Sequence, residues 1–414
     1  MSRHLLILAL VIATSTALRA QDCTADRYVT DGLFDVDTTR EVFFGRNIAV
    51  NGTDSQDLFL DVYEPSGDVV TERPVLFVGF GGSFIGGSRG DVSNLCHRWA
   101  SRGFVAVAFD YRVGFFIPNE LATLLAVTRG MHDMRAAIRF MYRDAATGNT
   151  YGIDTNRVIA AGVSAGAVTA LQVAYLDDVS EVPAVLADTL SALGGLEGLS
   201  GTPGVSSEVH AVVNFSGALG DTSWLEPGDP VLISLHDDGD ETVPYDTREI
   251  IVGIPTGLVA SGSGDITRRA QNAGVPSCLQ TIIGDGHVSY LRGSAAFNTD
   301  STFAFLDPWL KDVVCGTATD CDSDVVTTSV RDRFTAADLR LIPNPATDRV
   351  EVRWPSPDGS VTRLRIVDAL GRTVRERAAS GGAARIDLTG LPAGTYQVVV
   401  RGETVLHAST LLVP

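Results

Sequence analysis

The chain has 414 residues, 45% of them apolar and 20% charged, which is the make-up of a folded protein and excludes a disordered one. That length exceeds what one hydrophobic core usually organises, so two domains are expected. The net charge of -18 is unevenly placed, with about +2 on residues 1–20, -23 on 21–338 and +3 on 339–414; composition breaks near residue 338, and the acidic body excludes a nucleic-acid groove or an anionic membrane surface as partner.

Residues 1–20 read as a secretory signal peptide: Arg3, an apolar run from Leu5 to Ala13, then small residues up to a cleavage site near Ala20. The run is shorter than the roughly 18 residues a spanning helix needs. No later segment qualifies, so no membrane span is expected. An exported chain favours disulfides over metal ligands for Cys23, Cys96, Cys278, Cys315 and Cys321, none of which sits in a CxxC pair. Cys315 and Cys321 are close enough in sequence to bridge a short loop. Two of Cys23, Cys96 and Cys278 would form a second bridge, leaving one thiol over. Neither a metal site nor a cofactor is indicated.

From about residue 57 the pattern is α/β. Apolar runs at Leu58–Tyr63, Pro74–Phe80, Phe104–Asp110, Val158–Val163, Val209–Phe215, Pro230–His236 and Leu279–Ile283 alternate with helical stretches. Such continuous runs predict a parallel sheet covered on both faces. Met131–Ala146 repeats apolar residues at 3–4 spacing and predicts a helix. Residues 176–208 are rich in Gly, Ser and Ala, with a weak helical middle at Val185–Leu193, and read as a small lid or a surface excursion. Residues 316–338 read as a polar linker. The alternating runs that follow, such as Val350–Trp354, Leu364–Val367, Arg385–Leu388 and Tyr396–Val400, predict a small antiparallel β-sandwich over residues 339–414.

Parallel sheets bind ligands at the carboxyl ends of their strands, so chemistry is sought just after each run. Gly162-Val163-Ser164-Ala165-Gly166 follows one strand and opens a helix, the context of a nucleophile elbow. There the glycines avoid collisions, and the helix N-terminus offers its dipole and the Ala165 N–H to a developing oxyanion. A strand also runs into Phe80-Gly81-Gly82-Ser83-Phe84, where adjacent glycines free backbone N–H groups for a ligand. After Pro230–His236 three acids are available, Asp237, Asp238 and Asp240; one would orient a histidine, leaving the others as solvated loop residues. Of the seven histidines only His287, in Gly284-Asp285-Gly286-His287, falls on a loop beyond a strand. His236 is expected to pack beside the acid loop.

On these residues the chain resembles the carboxylesterase and hormone-sensitive-lipase-like branch of the α/β-hydrolases over roughly residues 40–312. The resemblance rests on Leu60-Asp61-Val62-Tyr63-Glu64-Pro65, the FGGSF segment, Asp110-Tyr111-Arg112, the GVSAG elbow and Asp240-Glu241-Thr242-Val243-Pro244-Tyr245. It implies an α/β-hydrolase domain over 21–315, with a catalytic triad of Ser164, Asp240 and His287. The implied oxyanion donors are the N–H groups of Gly81, Gly82 and Ala165. The family histidine before the glycines is Phe80 here, which implies altered loop packing. Leu341-Ile342-Pro343-Asn344-Pro345-Ala346, Ile366-Val367-Asp368-Ala369-Leu370-Gly371-Arg372 and the Asp387–Tyr396 segment resemble the C-terminal sorting domain of type IX secretion substrates. That second resemblance implies the type IX machinery as partner and a secreted or cell-surface location.

The expectation is therefore a secreted serine hydrolase cleaving carboxylic esters, of small molecules or polymers, through an acyl-enzyme. A peptidase or amidase on the same fold is the near rival, and a non-catalytic binding scaffold the distant one. Phe84, Phe115, Phe116 and Trp224 are candidates to line the pocket, with core packing as the competing role for each.

Overall fold

The structure, a computed structural model, describes residues 23–114, 119–252, 254–284, 286–291, 298–317, 321, 339–354, 362–367, 373–401 and 406–414. The signal-peptide reading of residues 1–20, and most of the linker reading at 316–338, fall outside them. The chain divides into two compact units, Met1–Val325 and Val326–Pro414.

In the first unit, chain order runs β1 (Val36–Ile48), β2 (Ser55–Pro65), β3 (Arg73–Gly79), α1 (Ser93–Ala100), β4 (Val105–Phe109), α2 (Glu120–Thr147), β5 (Ile153–Val163) and α3 (Ala165–Tyr175). It continues with α4 (Ala184–Ala192), β6 (Ala211–Phe215), β7 (Ala218–Leu219), β8 (Val231–Asp237), β9 (Arg248–Val252), β10 (Ile254–Gly262), α5 (Ser263–Ala273), β11 (Ser277–Ile282) and α6 (Thr299–Cys315). Eight strands form one sheet in the order β1-β2-β4-β3-β5-β6-β8-β11. From β4 to β11 all neighbours pair in parallel. Every residue of β4 and β6 is buried, as strands covered on both faces require.

All seven apolar runs are strands, but Leu58–Tyr63 lies in β2, which pairs antiparallel with β4 and with β1. An apolar run does not carry its direction, so a parallel reading of that strand was not justified by composition. The helix expected at Met131–Ala146 begins earlier, at Glu120, where the Asn119 side chain caps it by accepting from the Ala122 N–H at 2.9 Å. The weak helix near Val185–Leu193 is α4. A separate small sheet, β7-β10-β9, had no counterpart among the expected strands; its strands carry Thr256, Gly257 and Gly262, which weaken the apolar pattern.

The chain leaves β3 to one side for β4 and returns to the other for β5, so connections diverge at the carboxyl end of β3. Open α/β sheets bind ligands in such a crevice. The FGGSF segment follows β3 and Ser164 follows β5, so both converge there.

The second unit holds β12 (Arg340–Ile342), β13 (Arg349–Arg353), β14 (Thr362–Val367), β15 (Thr373–Ala379), β16 (Ala383–Asp387), β17 (Gly394–Arg401) and β18 (Leu406–Val413). They form two antiparallel sheets, β12-β13-β16 and β15-β14-β17-β18. Val350, Val352, Trp354, Leu364, Ile366, Tyr396, Val398 and Leu411 make one buried cluster, so Trp354 and Tyr396 serve the core.

The expected Cys315–Cys321 bridge is replaced by two long-range ones. Cys23 pairs with Cys315, 292 residues away, and Cys278 with Cys321. Proximity in sequence misled because α6 ends at Cys315 and delivers that thiol to the N-terminal segment, where Lys311 also donates to the carbonyls of Thr24 and Ala25. Cys96 is the buried free thiol. A Cys23→Ser variant is expected to lose about 2–5 kcal/mol, read as a lower denaturant midpoint. Non-reducing peptide mapping should recover a Cys23–Cys315 cross-link, with Cys96 alkylated only after unfolding.

Candidate active site

Ser164 caps α3 with φ 55° and ψ -118°. A positive φ is costly for a residue with a Cβ; the close approach of strand and helix maintains it here. A Cβ at Gly162 would lie 2.2 Å from the Gly166 carbonyl, and one at Gly166 would lie 2.2 Å from the Gly79 carbonyl oxygen. Glycine at both positions lets β3, β5 and α3 meet backbone to backbone. The Ser164 N–H donates to the Phe215 carbonyl at 2.8 Å, which fixes the turn against β6.

Three residues far apart in sequence meet at this turn. His287 Nε2 lies 2.8 Å from Ser164 Oγ, and His287 Nδ1 lies 2.6 Å from Asp240 Oδ2. Carboxylate oxygens only accept, so Nδ1 carries the proton and Nε2 is free to accept from the serine hydroxyl. Asp240 is fully buried, and its other oxygen accepts from the N–H groups of Thr242 at 2.8 Å and Val243 at 3.0 Å. Burial pushes its pKa upward, yet hydrogen bonds from His236 and His287 outweigh that and bring it down to about 2.

Two further residues were missed or misjudged by sequence reasoning. His236, expected only to pack nearby, places Nε2 3.4 Å from Asp240 Oδ2 while donating to the Val243 carbonyl at 3.0 Å. Its Nδ1 faces Ser263 Oγ at 2.7 Å, and that hydroxyl in turn accepts from Asn214 Nδ2 at 3.0 Å. This buried row runs from β6 to the acid loop and holds one tautomer of His236. Asp237 is not solvated but fully buried. It accepts from the Ser289 N–H at 3.0 Å and from the Ser289 hydroxyl, and so moors the loop that carries His287. Asp238 is exposed and accepts from the Gly284 N–H at 3.0 Å at the start of the same loop. The local signal was present: three carboxylates directly behind a strand have more anchoring capacity than one histidine uses.

On the opposite side of Ser164, Gly81 lies so near that a Cβ there would sit 3.4 Å from the Ser164 Cβ. Among the described residues, the Gly81 and Gly82 N–H groups donate to no backbone acceptor. Ser83 and Phe84 both hold positive φ, 55° and 59°. The Asp110-Tyr111-Arg112 segment braces this loop and the chain beneath it. Tyr111 donates to the Phe80 carbonyl at 2.7 Å, Asp110 accepts from Arg89 at 2.8 Å, and Arg112 grips buried Asp133 at 2.9 Å. Phe80 stacks on Tyr111, ring centroids 4.1 Å apart, so apolar stacking stands where the family histidine would be.

A cavity of about 450 Å³ opens from Ser164 and Ala165 between α2 and α3, under α4 and the β9–β10 hairpin. Phe84 and Trp224 line it; Phe115 and Phe116 lie outside the described residues. The 176–208 stretch contributes Leu176, Glu181, Pro183 and Leu186 to its wall. Among the described residues, no cluster of side chains is arranged to hold a metal ion.

Residues 60–226 match the family model described as BD-FAE, an α/β-hydrolase esterase family. The mostly parallel sheet covered by helices is an α/β-hydrolase fold. Residues 340–413 match the family described as a secretion system C-terminal sorting domain, which points to secretion or the cell surface by the type IX route. Among curated proteins, a neuroligin-like protein, glit-1, of Caenorhabditis elegans is 31% identical over 118 residues, 28% of this chain and 16% of that protein. Fumonisin B1 esterase of Sphingopyxis macrogoltabida is 30% identical over 123 residues, 28% of this chain and 22% of that protein. The chain thus spans about a fifth of the length of these relatives. Among solved structures, Thermogutta terrifontis esterase 2 phosphoramylated by tabun is 20% identical, with 68% of this chain and 96% of that one covered at a TM-score of 0.49. Its apo form is 21% identical, with 68% and 96% covered at 0.48. No helix among the described residues is long and apolar enough to cross a membrane.

The depressed pKa makes Asp240 a carboxylate down to about pH 2. Its stabilising interactions are therefore present above the unfolded carboxylate range and are lost only as pH falls through that value. Removing the His236 hydrogen bond should raise the value. In His236→Leu the Asp240 carboxyl, followed by carbon NMR, is expected to titrate at least half a unit higher than in wild type, and in His236→Gln at an intermediate pH. Identical titrations in all three would remove His236 from the account.

Proposed function

We propose that the protein is a serine hydrolase that cleaves carboxylic esters outside the cell. One observation carries this reading: His287 bridges the Ser164 hydroxyl at 2.8 Å and the Asp240 carboxylate at 2.6 Å. In this arrangement His287 Nε2 takes the hydroxyl proton as Ser164 Oγ attacks the substrate carbonyl carbon. Asp240 holds the tautomer and stabilises the imidazolium without taking its proton. The oxyanion is received by the N–H groups of Gly81, Gly82 and Ala165, with the α3 dipole behind them. His287 then protonates the departing alcohol oxygen, and the C–O bond breaks to leave the acyl group on Ser164. Water, deprotonated by the same imidazole, releases the acid and restores the serine. The BD-FAE match over the elbow segment and the esterase among the curated relatives support an ester over an amide substrate. No part of this sequence draws on a cofactor.

Ser164→Ala should lower kcat on p-nitrophenyl acetate by at least about a thousandfold, with little change in KM, since a triad acts as a unit. A fluorophosphonate probe should label wild type and not that variant. Turnover of the acetate undiminished in Ser164→Ala, or labelling that persists, would discard the assignment. Asp240→Asn should cost about 10⁴ in kcat through loss of the correct tautomer, measured on the same ester near neutral pH.

A further inference from the structure

The cavity has a direction. On α3 it is lined by Ala165, Val168 and Gln172, spacings of three and four that form one stripe of the helix, with Leu176 just past its end. Leu124 and Met131 of α2 form part of the facing wall. With Ser164 at the head of the stripe and a rise of about 1.5 Å per residue, Gln172 stands about 12 Å along the axis. Its amide is somewhat nearer the serine, because helical side chains lean towards the N-terminus. Of the charged residues on the cavity wall, Glu120 and Asp221 are exposed and Glu181 half-buried, whereas Gln172 is a polar side chain set deep in the wall. It is 4% exposed, and among the described residues its amide makes a single long contact, Nε2 to the Ala218 carbonyl at 3.5 Å. The hydroxyls of Thr123 and Thr128, which also line the cavity, already donate to the carbonyls of Asn119 and Leu124 at 2.8 Å. The amide thus keeps hydrogen-bonding capacity beyond that one contact, and a ligand group that pairs with it in the cavity gains a buried hydrogen bond.

Which half of an ester enters is set by His287. It must face the leaving oxygen, and it does not line the cavity, so the cavity receives the acyl half.

We propose that Gln172 is a specificity-determining residue that hydrogen-bonds a polar group, such as a hydroxyl, carried on an extended apolar acyl chain some eight to ten bonds from the reacting carbonyl. That reach follows from C–C bonds of about 1.5 Å in a staggered chain. With one N–H turned to the Ala218 carbonyl, the amide still offers its second N–H and its carbonyl oxygen, so a hydroxyl can pair in either sense. An unsubstituted chain of the same length makes no such bond and binds less well.

This inference rests on the ester-hydrolase reading, and its test separates the two. Wild type is assayed on p-nitrophenyl acetate, on unsubstituted p-nitrophenyl esters from hexanoate to dodecanoate, and on their ω-hydroxy counterparts. The ratio of kcat/KM for hydroxylated over plain chains should peak at about tenfold near the octanoyl to decanoyl lengths. In Gln172→Leu that peak should fall to unity or below. Acetate turnover with a flat ratio at every length in wild type overturns this inference alone, and so does a peak that survives in Gln172→Leu. The wild-type series decides the matter even if the leucine variant does not fold. Absence of acetate turnover overturns the ester-hydrolase reading and this inference with it.

Discussion

The structure depends on a backbone contact with no room in it. Where β3, β5 and α3 meet, side chains at Gly162 and Gly166 would have to occupy space already filled by the Gly166 and Gly79 backbones. That contact forces the chain through a turn too tight for an ordinary φ at Ser164, and the buried parallel strands around it hold the turn in place. The hydroxyl is thereby fixed at the carboxyl edge of the sheet, beside the Gly-rich loop after β3.

The electrostatics follow from burial. A carboxylate withdrawn from water is expensive unless it is hydrogen-bonded, and Asp240 meets that demand with two backbone N–H groups and two imidazoles. The same demand explains Asp237, whose two oxygens hold Ser289 and so position the turn around His287. One short acid-rich segment behind β8 therefore orients the imidazole and ties down the loop that carries it. Arg248 adds a donor to the Asp240 carbonyl, linking the β9–β10 hairpin that roofs the cavity to the acid loop.

The first unit sets the Ser164–His287–Asp240 row beside a largely apolar cavity between α2 and α3, while the second matches a sorting domain. A disulfide joining Cys23 to Cys315 closes the first unit around its own ends, in keeping with a chain that works outside the cell. The strongly negative body keeps such a chain soluble and repels anionic polymers.

Much of this was legible along the chain because it is local. Continuous apolar runs marked the strands, GVSAG marked the turn, and adjacent glycines marked the loop after β3, since each pattern reflects sterics within a few residues. Distances were not legible. That His287 reaches both Ser164 and Asp240, that His236 touches the same carboxylate, and that Cys315 prefers Cys23 to its near neighbour Cys321 are outcomes of strand order and helix placement. Local pattern along the chain determined the α/β character of the body and the residues that are candidates for its chemistry. Tertiary structure alone decided strand direction at β2, the disulfide pairing, the anchoring role of Asp237 and the line of side chains from Ser164 to Gln172. Periodicity reports which face of an element is apolar, but only packing determines what that face meets.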